Sequence, residues 1–474
     1  MSVVLKIFED ISKIPRGSGN EKGISDYLMA FAKERGLEAK QDALLNVVIY
    51  KPGTSGKENN PPLALQSHMD MVCEKNSDTV HDFLKDPIKL RQEGDLLYAT
   101  NTTLGADDGV GMALTMAILD SADIPHPPIE AIFTTEEETG MAGMAALDPN
   151  WISARRMINM DSGNDSTFGV GCSGGTRGNF IVPVTRDVLP AGMVFLHLSV
   201  RGLFGGHSGT EIHLERANSI SILGRALAAL NEQVDVRIVK LSGGLKANAI
   251  PREADAYIAI PAADENKAKQ IIADLKNVLG AEYRGSDPDI SLELTQTDQH
   301  KEAFTPECVK KVISAIILIP GGVINMSRDI DGLVETSNNV GVMETGPGAV
   351  TFECAIRSSV PSRGMFVRTR IEALAAALGA TAEFGDGYPS WTYNPDSPLL
   401  KQAMEIFREV HKKEPNIEAT HGGLECGFMM RKFPDMDIIA FMSNVFDYHT
   451  PNEHLSISSL DKVWKYTQVL VSRL

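Results

Sequence analysis

Cysteine, long apolar runs and positive charge are all scarce in this chain of 474 residues. The five cysteines, Cys73, Cys172, Cys308, Cys354 and Cys426, are odd in number and far apart, and they form no Cys-x-x-Cys pair. That argues against a disulfide framework and against a cysteine zinc site. No apolar run approaches the roughly 20 residues that a membrane span needs. The apolar N-terminal run is interrupted by Lys6, Glu9 and Asp10, so it reads as an amphipathic helix and not as a signal peptide. The expected compartment is cytoplasmic. Lys and Arg number 45 against 62 Asp and Glu, a net charge of −17. Such a surface repels phosphate backbones and anionic lipids, which excludes nucleic acid and membrane as partners. Internal repeats and low-complexity tracts are also missing. What remains is a globular composition, 43% hydrophobic, on a chain long enough for two or three domains.

Residues 64–72 organise the rest. They begin as the short apolar run of a buried strand and end in His68 and Asp70, two positions apart and so on one face. A carboxylate there can share a metal with His68 or hydrogen-bond its second ring nitrogen. Further strands at 44–50, 129–135 and 155–160 alternate with helices at 18–36 and after Asp107 and Asp108. Ser18 and Glu21 have the spacing of a capping box for the first of these helices. Alternating strands and helices predict an α/β fold with a mostly parallel central sheet, whose ligands gather at the carboxyl ends of the strands. After about residue 175 the order becomes strand 193–201, helix 215–230, strands 234–241 and 253–260, helix 265–279 and strand 290–296, the ferredoxin-like split unit. Ile220, Leu223, Leu227 and Leu230 form one helical stripe, and Ala268, Ile271, Leu275 and Val278 another. The unit extends through helices near 305–317 and 363–378 and strands at 339–345 and 350–357. The expectation is a catalytic domain over 1–174 and 385–474, interrupted by an α+β lid domain over 175–384. Gly171, Gly174 and Gly175 read as a glycine-rich turn, and no following Lys-Ser/Thr makes it a phosphate loop.

The strand-end residues are His68, Asp70, Asp107, Glu136, Glu137 and Asp161, joined by His449. Two imidazoles and several carboxylates are a borderline-metal set of the kind that holds zinc. A carboxylate between two ions can bridge them, and a second one beside the ligands can take a proton from water. Adjacent Glu136 and Glu137 could divide these roles.

The segments HMDM (68–71), LGADDGVGMA (104–113), TTEEETG (134–140), NMDS (159–162) and HTPNE (449–453) resemble, in order, the metal-site motifs of the aminoacylase/carnosinase metallopeptidase superfamily. GGHSG (205–209), NAIPREA (248–254) and GLECG (423–427) resemble its bacterial dipeptidase branch more closely. The resemblance spans essentially the whole chain. It implies one zinc held by His68 and Asp161, a second held by Glu137 and His449, and Asp107 bridging them, with cobalt or manganese as substitutes. It further implies that Asp70 orients His68, that Glu136 is the general base, and that the Asp107–Asp108 peptide is cis. His207 would polarise the scissile carbonyl, in dimeric relatives from the neighbouring subunit. Asn248, Arg357 and Gly423 would grip the substrate's terminal carboxylate. The implied activity is hydrolysis of dipeptides, including Xaa-His and carnosine, by a homodimer. An aminoacylase or carboxypeptidase-like amidohydrolase, and a non-catalytic peptide-binding homologue, are the alternatives. His421 and Glu425 receive no role, and the remaining histidines read as core or surface residues.

Overall fold

The computed structural model describes residues 2–474. The chain forms two compact units. The first comprises Met1–Gly171, Trp391–Ala419 and Leu424–Leu474, and the second Cys172–Ser390 with Thr420–Gly423.

The first unit is built on an eight-stranded sheet in the order Glu38–Gln41, Val47–Lys51, Ile129–Thr134, Leu63–His68, Arg156–Asn159, Asp437–Ala440, Thr167–Cys172, Asn416–Thr420. The strand Leu63–His68 runs parallel to Ile129–Thr134 on one side and to Arg156–Asn159 on the other, and Asp437–Ala440 continues the parallel set. Beyond this set Glu38–Gln41 pairs antiparallel with Val47–Lys51 and Val47–Lys51 with Ile129–Thr134, as does Asp437–Ala440 with Thr167–Cys172, so the sheet is mixed around a parallel set of four central strands. Every residue of Leu63–His68 and Ile129–Thr134 is buried. Burial on both faces is what the centre of a parallel set demands, and the polar side chains these strands carry, Gln66, His68 and Glu130 among them, are buried with the rest. Their register puts His68 beside Thr134 and Gln66 beside Asn159. Three chain segments therefore leave the sheet together at one end. The N-terminal run forms the helix Val3–Ile11, burying Val4, Leu5, Phe8 and Ile11. The helix Lys22–Glu34 starts at Glu21 without a side-chain cap. Ser18 is not part of a capping box; its hydroxyl donates to Asp70 Oδ2 at 2.8 Å.

The second unit is a nine-stranded antiparallel sheet. One end has the order Ser291–Gln296, Met193–Arg201, Ala254–Pro261, Arg237–Gly243, which is the ferredoxin-like arrangement expected from the chain order. Val334–Thr345, Ala349–Ser358, Gly174–Pro183 and Thr381–Phe384 extend it, and Gly322–Met326 pairs on Val334–Thr345. The helix Ser219–Asn231 buries Ile220, Leu223, Leu227 and Leu230 as its periodicity demands. In Glu265–Glu282 the buried stripe is rotated from expectation: Ala268, Ile272 and Leu279 are covered, while Val278 is exposed. Gly174 and Gly175 are not in a turn. They open the ten-residue strand Gly174–Pro183, and glycine is required there because a Cβ on Gly175 would lie 2.4 Å from the ring of Tyr388.

Candidate active site

In the first unit, His68 ends its strand almost fully buried, at 1% exposure. Its Nε2 faces Asp107 Oδ1 at 3.0 Å and Asp161 Oδ1 at 3.6 Å. The other oxygen of Asp107 lies 3.3 Å from His449 Nε2, which also meets Glu138 Oε1 at 3.1 Å. Asp107 is thus shared between two imidazoles, with Asp161 on the side of His68 and Glu138 on the side of His449. Ligand atoms of His68, Asp107 and Glu138 all lie within 4.8 Å of one another. This shifts the expected pair of glutamates by one residue. The strand stops at Thr134, Glu136 adopts a left-handed conformation with φ 56°, and a short helix begins at Glu137. The turn carries Glu138, and not Glu137, to His449. Glu136 is held through its backbone, its N–H donating to Glu21 Oε1 at 3.2 Å.

Asp70 has its Oδ1 3.4 Å from His68 Nδ1. It also accepts from the N–H groups of Glu137 at 3.0 Å and Glu138 at 3.2 Å. Burial would raise its carboxyl, but His68, Ser18 and the Glu137 N–H outweigh burial and hold it below the usual carboxylate range. Glu137 is pushed well above that range, first by burial and then by the neighbouring charges of Asp161, Glu425 and Glu138, against the opposing pull of His68. Burial and Asp107 push Asp161 up to about 8, while the hydrogen bonds of His449 and His68 overcome burial and keep Asp107 low. Crowding several carboxylates around two imidazoles is favourable only with added positive charge. Glu138 Oε1 is buried, with the His449 ring nitrogen 3.1 Å away but out of line for a well-formed hydrogen bond. Imidazole and carboxylate donors on both sides of a shared Asp fit a pair of divalent ions.

Several residues the motifs did not single out hold this arrangement. Glu453, 2% exposed, accepts from the N–H groups of Leu104, Gly105, Ala106 and Asp107 at 2.8, 3.0, 2.8 and 3.4 Å. It fixes the loop that presents Asp107, whose peptide with Asp108 is cis. Arg16, also buried, donates to the carbonyls of Met69, Asp70 and Gly105. Glu425 Oε2 accepts from Gln66 Nε2 and Thr134 Oγ1, both at 2.6 Å, and burial lifts its carboxyl to about 7. The amide of Gln66 in turn accepts from Asn159, whose Oδ1 accepts the N–H of Asp161. Glu453 stood in a quoted motif, but as an apparent loop residue. Arg16 and Gln66 carry no local signal.

In the second unit, a two-residue ladder pairs His207 with Ala249 and brings His207 beside Asn248, whose carbonyl accepts from Ser208 N–H at 2.9 Å. His207 Nδ1 accepts from the N–H groups of Gly209 and Thr210 at 3.3 Å. That assigns the ring proton to Nε2, the nitrogen left to donate. Burial and the charge of Arg357 hold the imidazole below its ordinary value and so neutral. Arg357 donates to the Tyr388 hydroxyl at 2.7 Å, and a Cβ on Gly423 would meet the Tyr388 ring at 2.5 Å. His207, Arg357 and Gly423 are therefore brought into one neighbourhood. His421 Nε2 meets Ser337 Oγ at 2.7 Å, and burial with Arg357 lowers this imidazole to about 3. Its folded value lies below its unfolded one, so its contribution is complete above pH 6.5 and declines as pH falls towards 3, when only the unfolded chain takes up the proton. Between pH 6 and 4, His421→Gln is expected to flatten the stability curve by up to ~1.4 kcal/mol per pH unit, read by urea denaturation.

Among the described residues no helix is long and apolar enough to cross a membrane. The chain is 36% identical over 468 residues to the cytosol non-specific dipeptidase of Escherichia coli K12, covering 99% of this chain and 96% of that protein. The crystal structure of aminoacylhistidine dipeptidase from Vibrio alginolyticus superposes with a TM-score of 0.93 at 36% identity, again over 99% and 96% of the two chains. The aminopeptidase PepT of Bacillus cereus, at 16% identity and a TM-score of 0.58 over 99% and 97%, shares the fold. Residues 64–473 match the peptidase family M20/M25/M40, and with this match and the two relatives at 36% identity the chain belongs to that family.

Proposed function

We propose that this chain is a metal-dependent dipeptidase that hydrolyses dipeptides with a free C-terminal carboxylate, Xaa-His dipeptides and carnosine among them. The observation that carries the reading is the Asp107 carboxylate set between His68 and His449, with Asp161 and the buried Glu138 oxygen completing its two sides. When bound there, a pair of divalent ions, zinc in this reading with cobalt or manganese as substitutes, supplies Lewis acidity and lowers the pKa of water. His68, Asp107, Glu138, Asp161 and His449 would hold the ions. Asp70 fixes the ring of His68 and, through two backbone N–H groups, the turn that carries Glu137 and Glu138. Glu137, next to the ligands and with a raised pKa, takes the proton of the attacking water and returns it to the leaving amine. His207 donates its Nε2 proton to the oxygen that gains charge. Arg357, Asn248 and the Gly423 N–H hold the terminal carboxylate, which limits substrates to short peptides.

The second unit is, in this reading, the substrate-gripping lid inserted into the catalytic one. A cytoplasmic homodimer completes the proposal. The cytosol designation of the Escherichia coli relative supports the location, and the motif resemblance supports the dimer. The test is hydrolysis of carnosine and of Ala-Ala by stripped and zinc-restored protein. Chelation is expected to remove at least ~10²-fold of the rate, and zinc to restore it. A fully loaded protein that cleaves neither compound, but does cleave N-acyl amino acids, would replace this reading with the amidohydrolase.

A further inference from the structure

The nine-stranded sheet contains one transverse row whose chemistry the family motifs leave unassigned. Ser337 pairs with Arg357, Arg357 with Gly175, and Gly175 with Tyr388 through an isolated bridge. The bridge is two-sided: Gly175 N–H donates to the Tyr388 carbonyl at 3.0 Å, and Tyr388 N–H to the Gly175 carbonyl at 2.9 Å. Because Gly175 has no side chain, the side chains of its two neighbours in the row meet across it, and Arg357 Nη1 donates to the Tyr388 hydroxyl at 2.7 Å. A Cβ on Gly175 would stand 2.5 Å from that hydroxyl, and one on Gly423 would stand 2.5 Å from the opposite side of the ring, at Cε2. Two glycines thus form the slot that holds Tyr388.

The donors of this row are not all used. A phenol that accepts from Arg357 still has its own proton to give. Burial raises its pKa above the ordinary tyrosine value, against the pull of Arg357 and of a hydrogen bond with the Ser173 side chain, so at neutral pH the proton is present. Arg357 Nε is buried with no hydrogen-bond partner among the described residues. A buried donor without an acceptor is costly, and here one stands beside a second donor held against the same guanidinium. An acceptor-only anion with two oxygens satisfies both. We infer that Tyr388 is a further specificity residue, positioning Arg357 across Gly175 and giving its own hydroxyl proton to the terminal carboxylate of the substrate. This rests on the dipeptidase reading, deepening its carboxylate anchor.

The experiment compares wild type with Tyr388→Phe in the metal-loaded full chain, using alanyl-histidine and its C-terminal amide. The variant is expected to raise KM for alanyl-histidine about tenfold with kcat within about twofold, and to leave KM for the amide nearly unchanged. Gly175→Ala keeps the hydroxyl but displaces it, so it should reproduce the KM effect. Combined with Tyr388→Phe it should add little, because both act on one contact. Calorimetric titration of alanyl-histidine into the metal-loaded Glu137→Gln protein, with and without Tyr388→Phe, reads the same tenfold change without turnover. Equal KM and equal affinity in the presence and absence of the hydroxyl would overturn the role of Tyr388 alone. A loss of kcat and thermal stability with no selectivity between acid and amide would also overturn it, reducing Tyr388 to a packing residue. A wild type that neither binds nor cleaves alanyl-histidine would overturn the dipeptidase reading and this inference together.

Discussion

Glu137→Gln is expected to lower kcat on Ala-Ala by about 10²–10⁴-fold, the range supplied by a positioned general base, while metal content stays at the wild-type level. Glu136→Gln should stay within about threefold of wild type, since the residue is held through its N–H to Glu21 and not through a place in the cluster. Replacing the Glu137 carboxylate by an amide keeps its size and removes its capacity to take a proton. The ligand set survives because Glu138 meets His449 and its own N–H still donates to Asp70. Rate assays on both variants, with metal measured by plasma emission, decide the matter. A silent Glu137→Gln beside an inactive Glu136→Gln would return the base to the position the motif spacing first suggested.

The largest effect on stability is expected from Glu453→Ala. Its carboxylate accepts four consecutive backbone N–H groups in a buried loop, and it is the leading favourable charge on the fully buried Arg16, whose guanidinium burial alone would push towards neutrality. Removing the carboxylate takes away the leading counter-charge of a buried cation and leaves four buried backbone donors without their acceptor, a loss of about 3–5 kcal/mol. Glu453→Gln keeps a carbonyl acceptor for part of the loop and should cost less. Urea denaturation monitored by fluorescence measures both. Since the loop carries Asp107, the Ala variant should also bind metal more weakly, which equilibrium dialysis would register. A Glu453→Ala protein within ~1 kcal/mol of wild type would show that water or a rearranged loop replaces the carboxylate.

Much of this architecture was legible in the sequence, for identifiable reasons. The strand Leu63–His68 reads clearly because it opens on the apolar run Leu63–Leu65, and long amphipathic helices such as Ser219–Asn231 declare their buried stripe. The ferredoxin-like portion followed from element order alone. Three kinds of feature stayed hidden. Edge strands such as Glu38–Gln41 and Gly322–Met326 are short and half-exposed, so they lack a strong pattern. Gly174 and Gly175 looked like a turn, because nothing local reveals that a tyrosine some two hundred positions away occupies the space above the strand. The run of three glutamates could not be resolved by spacing. A single left-handed residue at Glu136 decides which carboxylate turns inward, and only the fold determines where that turn falls. Arg16, Gln66 and Tyr388 act across long separations, through a buried guanidinium, an amide relay and a phenol; none of them lies in a quoted motif, so only the fold brings them to the motif residues they contact.

The four residues Thr420–Gly423 belong to the second unit, although the chain has already returned to the first at Trp391. During synthesis, every strand of the nine-stranded sheet has been made before the segment that seats His421 against Ser337 and places Gly423 beside Tyr388. At 5–20 residues per second this segment follows about 30 residues later, a delay of a few seconds. The Gly175 side of the Tyr388 slot is therefore synthesised well before its Gly423 side. The Tyr388 slot is thus among the last features of the second unit to be completed, because its Gly423 side lies in the separate segment Thr420–Gly423.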